Sequence, residues 1–173
     1  KEALGRVAGP QFSPYAGRNF PTRVFWGDTH LHTAVSVDAG TMNRVGQEDA
    51  FRFARGEEVT STGGLRARLS RPLDFLVIAD HAEMYGLMPQ LLGGDPEVLA
   101  TEAGKQWYGE LTSGDEARIF ATAMKIVGSL SGDVPPIKSE KAVRNAWQAY
   151  TALADKYNDP GRFTALIGFE WTA

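Results

Sequence analysis

Three apolar runs in this chain each end abruptly in side chains able to bind a proton or a metal ion. Arg23-Val24-Phe25-Trp26 leads to Asp28 and His30-Leu31-His32, Phe75 to Ala79 leads to Asp80-His81, and Phe163 to Phe169 leads to Glu170. The middle run lacks the alternation of a strand with one wet face, so it predicts a strand covered on both sides. Polar groups at the exits of several such strands confine the chain to an α/β fold that gathers chemistry along one edge of its sheet.

The segments between the runs read as helices. Gln47 to Arg55 has acidic residues in its first turn and Gly56 as its stop, and Glu57 to Leu69 reads as a loop or small hairpin around Gly63-Gly64. Asp95-Pro96 starts a helix expected to reach about Tyr108. Ser113 with Glu116 has the capping-box spacing and begins another, with Ile119, Phe120, Ala123, Ile126 and Val127 on one stripe. Ser139 caps a third, in which Val143, Trp147, Tyr150 and Ala154 share a face, and Asn158-Asp159-Pro160-Gly161 ends it. The expected organisation is an irregular arm over 1–22 and an α/β portion over 23–173, with a helical insertion at about 84–160. The insertion follows from length, because some 80 residues between two strands far exceed one crossover helix. Three strands cannot close a barrel, and Ala173 comes just after a strand ending in a candidate ligand, so the chain reads as a fragment of a larger barrel.

Composition narrows the chemistry. At 173 residues, 43% apolar and 23% charged, the chain has the means for one sizeable core. The formal charge is -3, and the densest basic group is Arg66, Arg68 and Arg71, so a nucleic-acid partner is not favoured. No stretch approaches the roughly 18 apolar residues of a membrane span, and cytoplasm and periplasm both remain open. With no cysteine, a bound metal must use imidazole and carboxylate.

All three histidines of the chain, His30, His32 and His81, lie at strand exits and none in the helical segment. In extended backbone His30 and His32 point the same way while Leu31 packs opposite, so the pair can bind one ion; the bland alternative is incidental surface histidines. Asp28 either joins them or accepts a backbone bond of its turn. Asp38 either folds over the site with the loop from Ser36 to Gly40 or merely shapes a turn before glycine. His81 is a candidate ligand. Asp80 is the candidate catalytic group beside it, able to coordinate or to orient an imidazole, and Glu83 can cap the next helix. Glu170 either pairs with an arginine or is shared between two ions. Neither a dinucleotide-binding glycine motif nor Gly-x-Ser-x-Gly around Ser36 is present, and Trp107, Tyr108, Trp147 and Tyr150 have the spacing of core residues.

Gly27-Asp28-Thr29-His30-Leu31-His32-Thr33 with Ser36 and Asp38 resembles the first motif of the polymerase and histidinol phosphatase (PHP) superfamily. Ile78-Ala79-Asp80-His81 resembles its second motif, and Gly168-Phe169-Glu170 its third. The longer pattern from about Asn19 to Thr172 includes Arg71-Pro72-Leu73-Asp74-Phe75, Ala82-Glu83 and Asn158 to Phe163. It is similar to the bacterial family called domain of unknown function 3604.

The resemblance implies a distorted (β/α)7 TIM-like barrel with two or three Zn, Mn or Fe ions at its strand ends, hydrolysing phosphate esters. It implies that His30 and His32 hold one ion, that Glu170 bridges it to a second, and that Asp38 with His81 holds a third. The family's later strands supply further His and Asp ligands, and this chain has no histidine after His81, so the expected site is incomplete without the remainder of the barrel or another copy of the chain. The expected substrate is a small anionic ester, with Arg18 or Arg44 as the side chain meeting the anion. A sulfate ester is the rival substrate, and a non-catalytic, metal-stabilised interaction module is the rival class.

Overall fold

The computed structural model describes residues 24–132, 137 and 139–171. The arm expected over 1–22, with Arg18, lies outside them. Among the described residues the chain is mixed α/β: six α-helices and one sheet of three parallel strands, with no closed barrel. The sheet consists of β1 (Gly27–Leu31), β4 (Phe75–Ile78) and β5 (Thr164–Ile167), in the order β1-β4-β5. Between β1 and β4 come α1 (Gln47–Ala54) and a hairpin of β2 (Val59–Thr60) and β3 (Arg66–Ala67). The hairpin turns through Gly63-Gly64 as expected, with Gly64 at a φ of 82°.

β1 pairs Gly27 with Phe75 and Asp28 with Leu76, but Leu31 with Ile78, so β1 carries one residue more than β4 over the same span. The strand expected at Arg23 to Trp26 is displaced toward the histidines. Val24, Phe25 and Trp26 are exposed at the entry to β1, an edge strand of the sheet. Gly27 is required at the start of pairing, since a Cβ there would collide with Phe75.

Between β4 and β5 lie α2 (Leu87–Leu92), α3 (Pro96–Leu99), α4 (Glu102–Leu111), α5 (Glu116–Gly128) and α6 (Glu140–Tyr157). The single helix expected from Pro96 to Tyr108 is two, because the Thr101 side chain accepts from Gly104 N–H and caps a new start. Asp115, not Ser113, caps α5: Ser113 Oγ donates to Glu110 O, while Asp115 accepts from Arg118 N–H. Ser139 caps α6 as expected. The apolar stripe read on α5 is only partly buried, with Ala123 and Ile126 inside and Phe120 exposed.

Two cores result. In one, Phe51 and Ala54 of α1 and Tyr150 and Ala154 of α6 bury Leu76 and Ile78 of β4. The Tyr150 hydroxyl stands 3.0 Å from Ile78 O and 3.2 Å from Leu166 O and accepts from Gly168 N–H, which ties α6 to both strands. α6 is therefore the crossover helix of the sheet, and the insertion proper is the α2–α5 group. That group has its own core of Met88, Leu91, Val98, Trp107 and Ile126, into which Val37 reaches from the loop after β1. Trp107 and Tyr150 are core residues, as their spacing suggested. No helix among the described residues is long and apolar enough to cross a membrane.

Candidate metal centre

The ladder continues beyond the strands. Glu170 N–H donates to Asp80 O at 3.1 Å and Ala82 N–H to Glu170 O at 2.9 Å, which places His81 and Glu170 side by side. On the neighbouring strand the extra residue puts Leu31 on the helix-covered side, packed against the first core, and His30 and His32 on the other. The rings of His30 and His32 stack with centroids 5.1 Å apart, and His81 meets His32 edge-on at 5.0 Å. All three histidines singled out from the sequence thus share one pocket.

Glu170 Oε2 is the centre of this group, at 2.8 Å from His32 Nε2, 3.0 Å from His30 Nε2 and 3.7 Å from His81 Nε2. It faces histidines, not the arginine partner that was its alternative. Asp38 Oδ2 lies 2.9 Å from His32 Nδ1 and 3.7 Å from His81 Nε2. Two sets of ligand-type atoms are close enough to enclose an ion: His30, His32 and Glu170, and His32, Asp38 and His81. These sets bring together every residue expected to hold metal, and His32 belongs to both.

The Asp38 loop is held from below and above. Val37 is fully buried in the insertion core, and a Cβ on Gly40 would sit 2.5 Å from Ala34 O. Ser36 Oγ donates to Asp38 Oδ1 at 2.5 Å and accepts from His81 N–H at 3.1 Å, so Ser36 braces two candidate ligands. Burial pushes the Asp38 carboxyl up, but bonds from Ser36, the Ala39 backbone and His32 outweigh it and hold the pKa below its ordinary value. Glu170 behaves likewise: partial desolvation raises it, and the His30 bond and the nearby imidazoles lower it further.

An acceptor-only Asp38 carboxylate fixes the His32 tautomer. Nδ1 must carry the proton that points at Asp38, leaving Nε2 with its lone pair in the neutral ring. That Nε2 is buried and has no hydrogen-bond partner, although Glu170 Oε2 is 2.8 Å away off the bonding direction. A ring lone pair facing a carboxylate oxygen at that distance is unfavourable, and either a proton on Nε2 or a cation held between the two relieves it. Imidazole and carboxylate are also the donors that Zn, Mn and Fe accept, so these residues fit a bound metal.

Other candidates take different positions. Asp28 Oδ1 accepts from His30 N–H at 2.8 Å, the backbone role that was its alternative. Asp80, expected as a catalytic group or an imidazole-orienting one, is fully buried and spends its oxygens elsewhere. It accepts from Thr33 N–H at 2.5 Å, Thr33 Oγ1 at 2.8 Å and Gln47 Nε2 at 2.9 Å, and from no histidine ring. Burial raises its pKa against those three bonds. The reason is direction: Asp80 and His81 are consecutive on extended backbone and point to opposite sides. Glu83 Oε2 stands 3.8 Å from His81 Nδ1 and does not cap α2. Arg44 Nη1 donates to Gly40 O and Asn43 O, which braces the loop.

Sequence reasoning missed Gln47. Its signal was present: the buried positions of α1 are Gln47, Ala50, Phe51 and Ala54, so a polar residue stands in an apolar stripe and needs a buried partner.

Fold and site together define a mixed α/β protein with a histidine and carboxylate cluster at the exits of a parallel sheet. The chain belongs to the family described as Protein of unknown function (DUF3604), whose model matches residues 19–173. No curated protein and no solved structure matches it.

Proposed function

We propose that this chain carries the metal-holding strand exits of a metal-dependent hydrolase acting on phosphate esters. The observation that carries the reading is the buried, unpartnered His32 Nε2 against Glu170 Oε2, with His30 and His81 converging on the same oxygen. In the finer architecture we propose, the sheet is part of a PHP-type (β/α)7 barrel whose interior is the face bearing the cluster. The similarity of the three strand-exit motifs to that superfamily supports this.

His30, His32 and Glu170 would hold one divalent ion, and Asp38 with His81 another, Zn, Mn and Fe being the candidates. When bound, such ions lower the pKa of a coordinated water toward neutrality and neutralise the oxygens of a tetrahedral anion. The chain's own residues prepare the pocket for that. Asp38 holds the His32 Nδ1 proton and so turns the Nε2 lone pair toward Glu170. Ser36 locks the Asp38 carboxylate and the His81 backbone in a single unit. Glu170 presents one oxygen to three rings, so its charge is available to ions on either side.

Metal content and Mn or Zn affinity, followed by turnover of matched aryl phosphate and aryl sulfate esters, test the reading. Metal-dependent release from the phosphate supports it, and preference for the sulfate reassigns the substrate. Tight metal binding with neither ester cleaved favours a metal-stabilised interaction module, and failure to bind either metal overturns the assignment.

A further inference from the structure

Gln47 opens α1 on its buried stripe, where an aliphatic side chain would pack without needing a partner. Its amide group donates to Asp80 Oδ2 at 2.9 Å and to the Tyr85 hydroxyl at 2.7 Å, so one amide nitrogen serves two partners. Asp80 in turn grips Thr33 twice, through its backbone N–H and its hydroxyl. Thr33 is the residue after His32, and the N–H that Asp80 accepts belongs to the peptide joining the two.

This chain of bonds runs from α1 through the exit of β4 to the backbone of the histidine shared by both candidate ligand sets. Thr33 engages both Asp80 oxygens, and Gln47 adds a third bond that ties the carboxylate to α1 and, through the same amide, to Tyr85. Without Gln47, Asp80 keeps its two bonds to Thr33 but loses its tie to α1, so the carboxylate and the Thr33 backbone it grips are no longer fixed to the helix layer.

We infer that Gln47 is a positioning residue for His32, acting through Asp80 and Thr33 to hold the imidazole between Asp38 and Glu170. The inference deepens the metal-centre reading and rests on it for its metal-binding consequence only.

Gln47→Met in the full chain tests it, since methionine keeps the length and removes the donors. Two readouts are followed with the thermal melt: the His32 ring-nitrogen NMR signals without metal, and cobalt(II) affinity by visible titration. The expected result is a shift of the His32 signals with those of His30 unmoved, and cobalt binding weakened about 10- to 100-fold, the range for residues that orient ligands. Unchanged His32 signals overturn the inference, as do shifted signals with wild-type cobalt affinity. If wild-type protein binds no cobalt, the metal-centre reading fails, while the His32 signals still decide whether Gln47 positions the ring. Should Gln47→Met not melt cooperatively, Thr33→Val removes the hydroxyl half of the Asp80 grip, leaving its backbone half, and is judged by the same signals.

Discussion

On the helix side of the parallel sheet, Leu76 and Ile78 are fully buried under Phe51 and Tyr150. On the opposite side, Phe75 and Val77 are only half-buried and Leu166 of β5 is 43% exposed. The first side is fixed by aromatic packing: Phe51 stacks on Tyr157 with centroids 5.5 Å apart and meets Phe163 edge-on at 6.5 Å. The second bears the candidate metal centre, where histidines and carboxylates are held by hydrogen bonds and adjacent loops. The sheet thus has its packed core on one side of three short strands and its candidate metal centre on the other. A parallel sheet normally has both faces covered, and among the described residues only one of these faces is.

The contrast can be broken in several ways. Phe51→Ala on the closed side has the largest expected effect, about 3–5 kcal/mol of unfolding free energy. Urea melts measure it, and a loss below about 1 kcal/mol would mean that the aromatic layer is not the main support. Glu170→Gln on the open side should weaken metal binding by more than the roughly 100-fold that marks the upper range for supporting residues, as isothermal titration reads. The fold should remain, because the backbone bonds of Glu170 to Asp80 and Ala82 are untouched.

Leu166→Ser should cost no more than about 0.5 kcal/mol, as for an exposed position. A cost approaching that of Phe51→Ala would show that this face is covered in solution. The smallest effect is on pH dependence. Asp38 is held below its ordinary pKa, so its stabilisation is complete at neutral pH and is lost as the pH falls through the depressed value, below about pH 4. Asp38→Asn should therefore lower Tm near neutrality and shrink the further fall in Tm on acidification, as melts across that range record. Asp80 has the opposite sign: its raised pKa makes ionisation a cost that grows as pH rises from its unfolded value to its folded one.

Much of this arrangement was legible in the sequence because it depends on local signals. Strand exits, the Ser139 and Asp95 caps and the Gly64 turn are set by neighbours a few residues away. The grouping of His30, His32, Asp38, His81 and Glu170 followed from their positions at those exits. What stayed hidden depends on contacts across the chain. Thr101 is an ordinary helix-tolerated residue until its hydroxyl finds Gly104 N–H, and that contact divides the expected long helix. The partners of Asp80 were not legible either, because Thr33 and Gln47 lie 47 and 33 residues away. The resemblance to the family called domain of unknown function 3604 is borne out by the match over 19–173, while the PHP resemblance and the barrel it implies remain a proposal resting on motif similarity.

The surplus residue of β1 has a consequence for how this segment can vary. Asp28 lies opposite Leu76 and Leu31 opposite Ile78, so an even count across that stretch would bring His30 into register with Ile78. Both imidazoles would then turn into the apolar interior and Leu31 into solvent, because a strand inverts its sides with each single-residue slip. Loss of one residue between Asp28 and Leu31 would remove the surplus and still leave Leu31 opposite Ile78, whereas flattening the irregularity with every residue kept would turn both histidines inward and dismantle the cluster with its sequence unchanged.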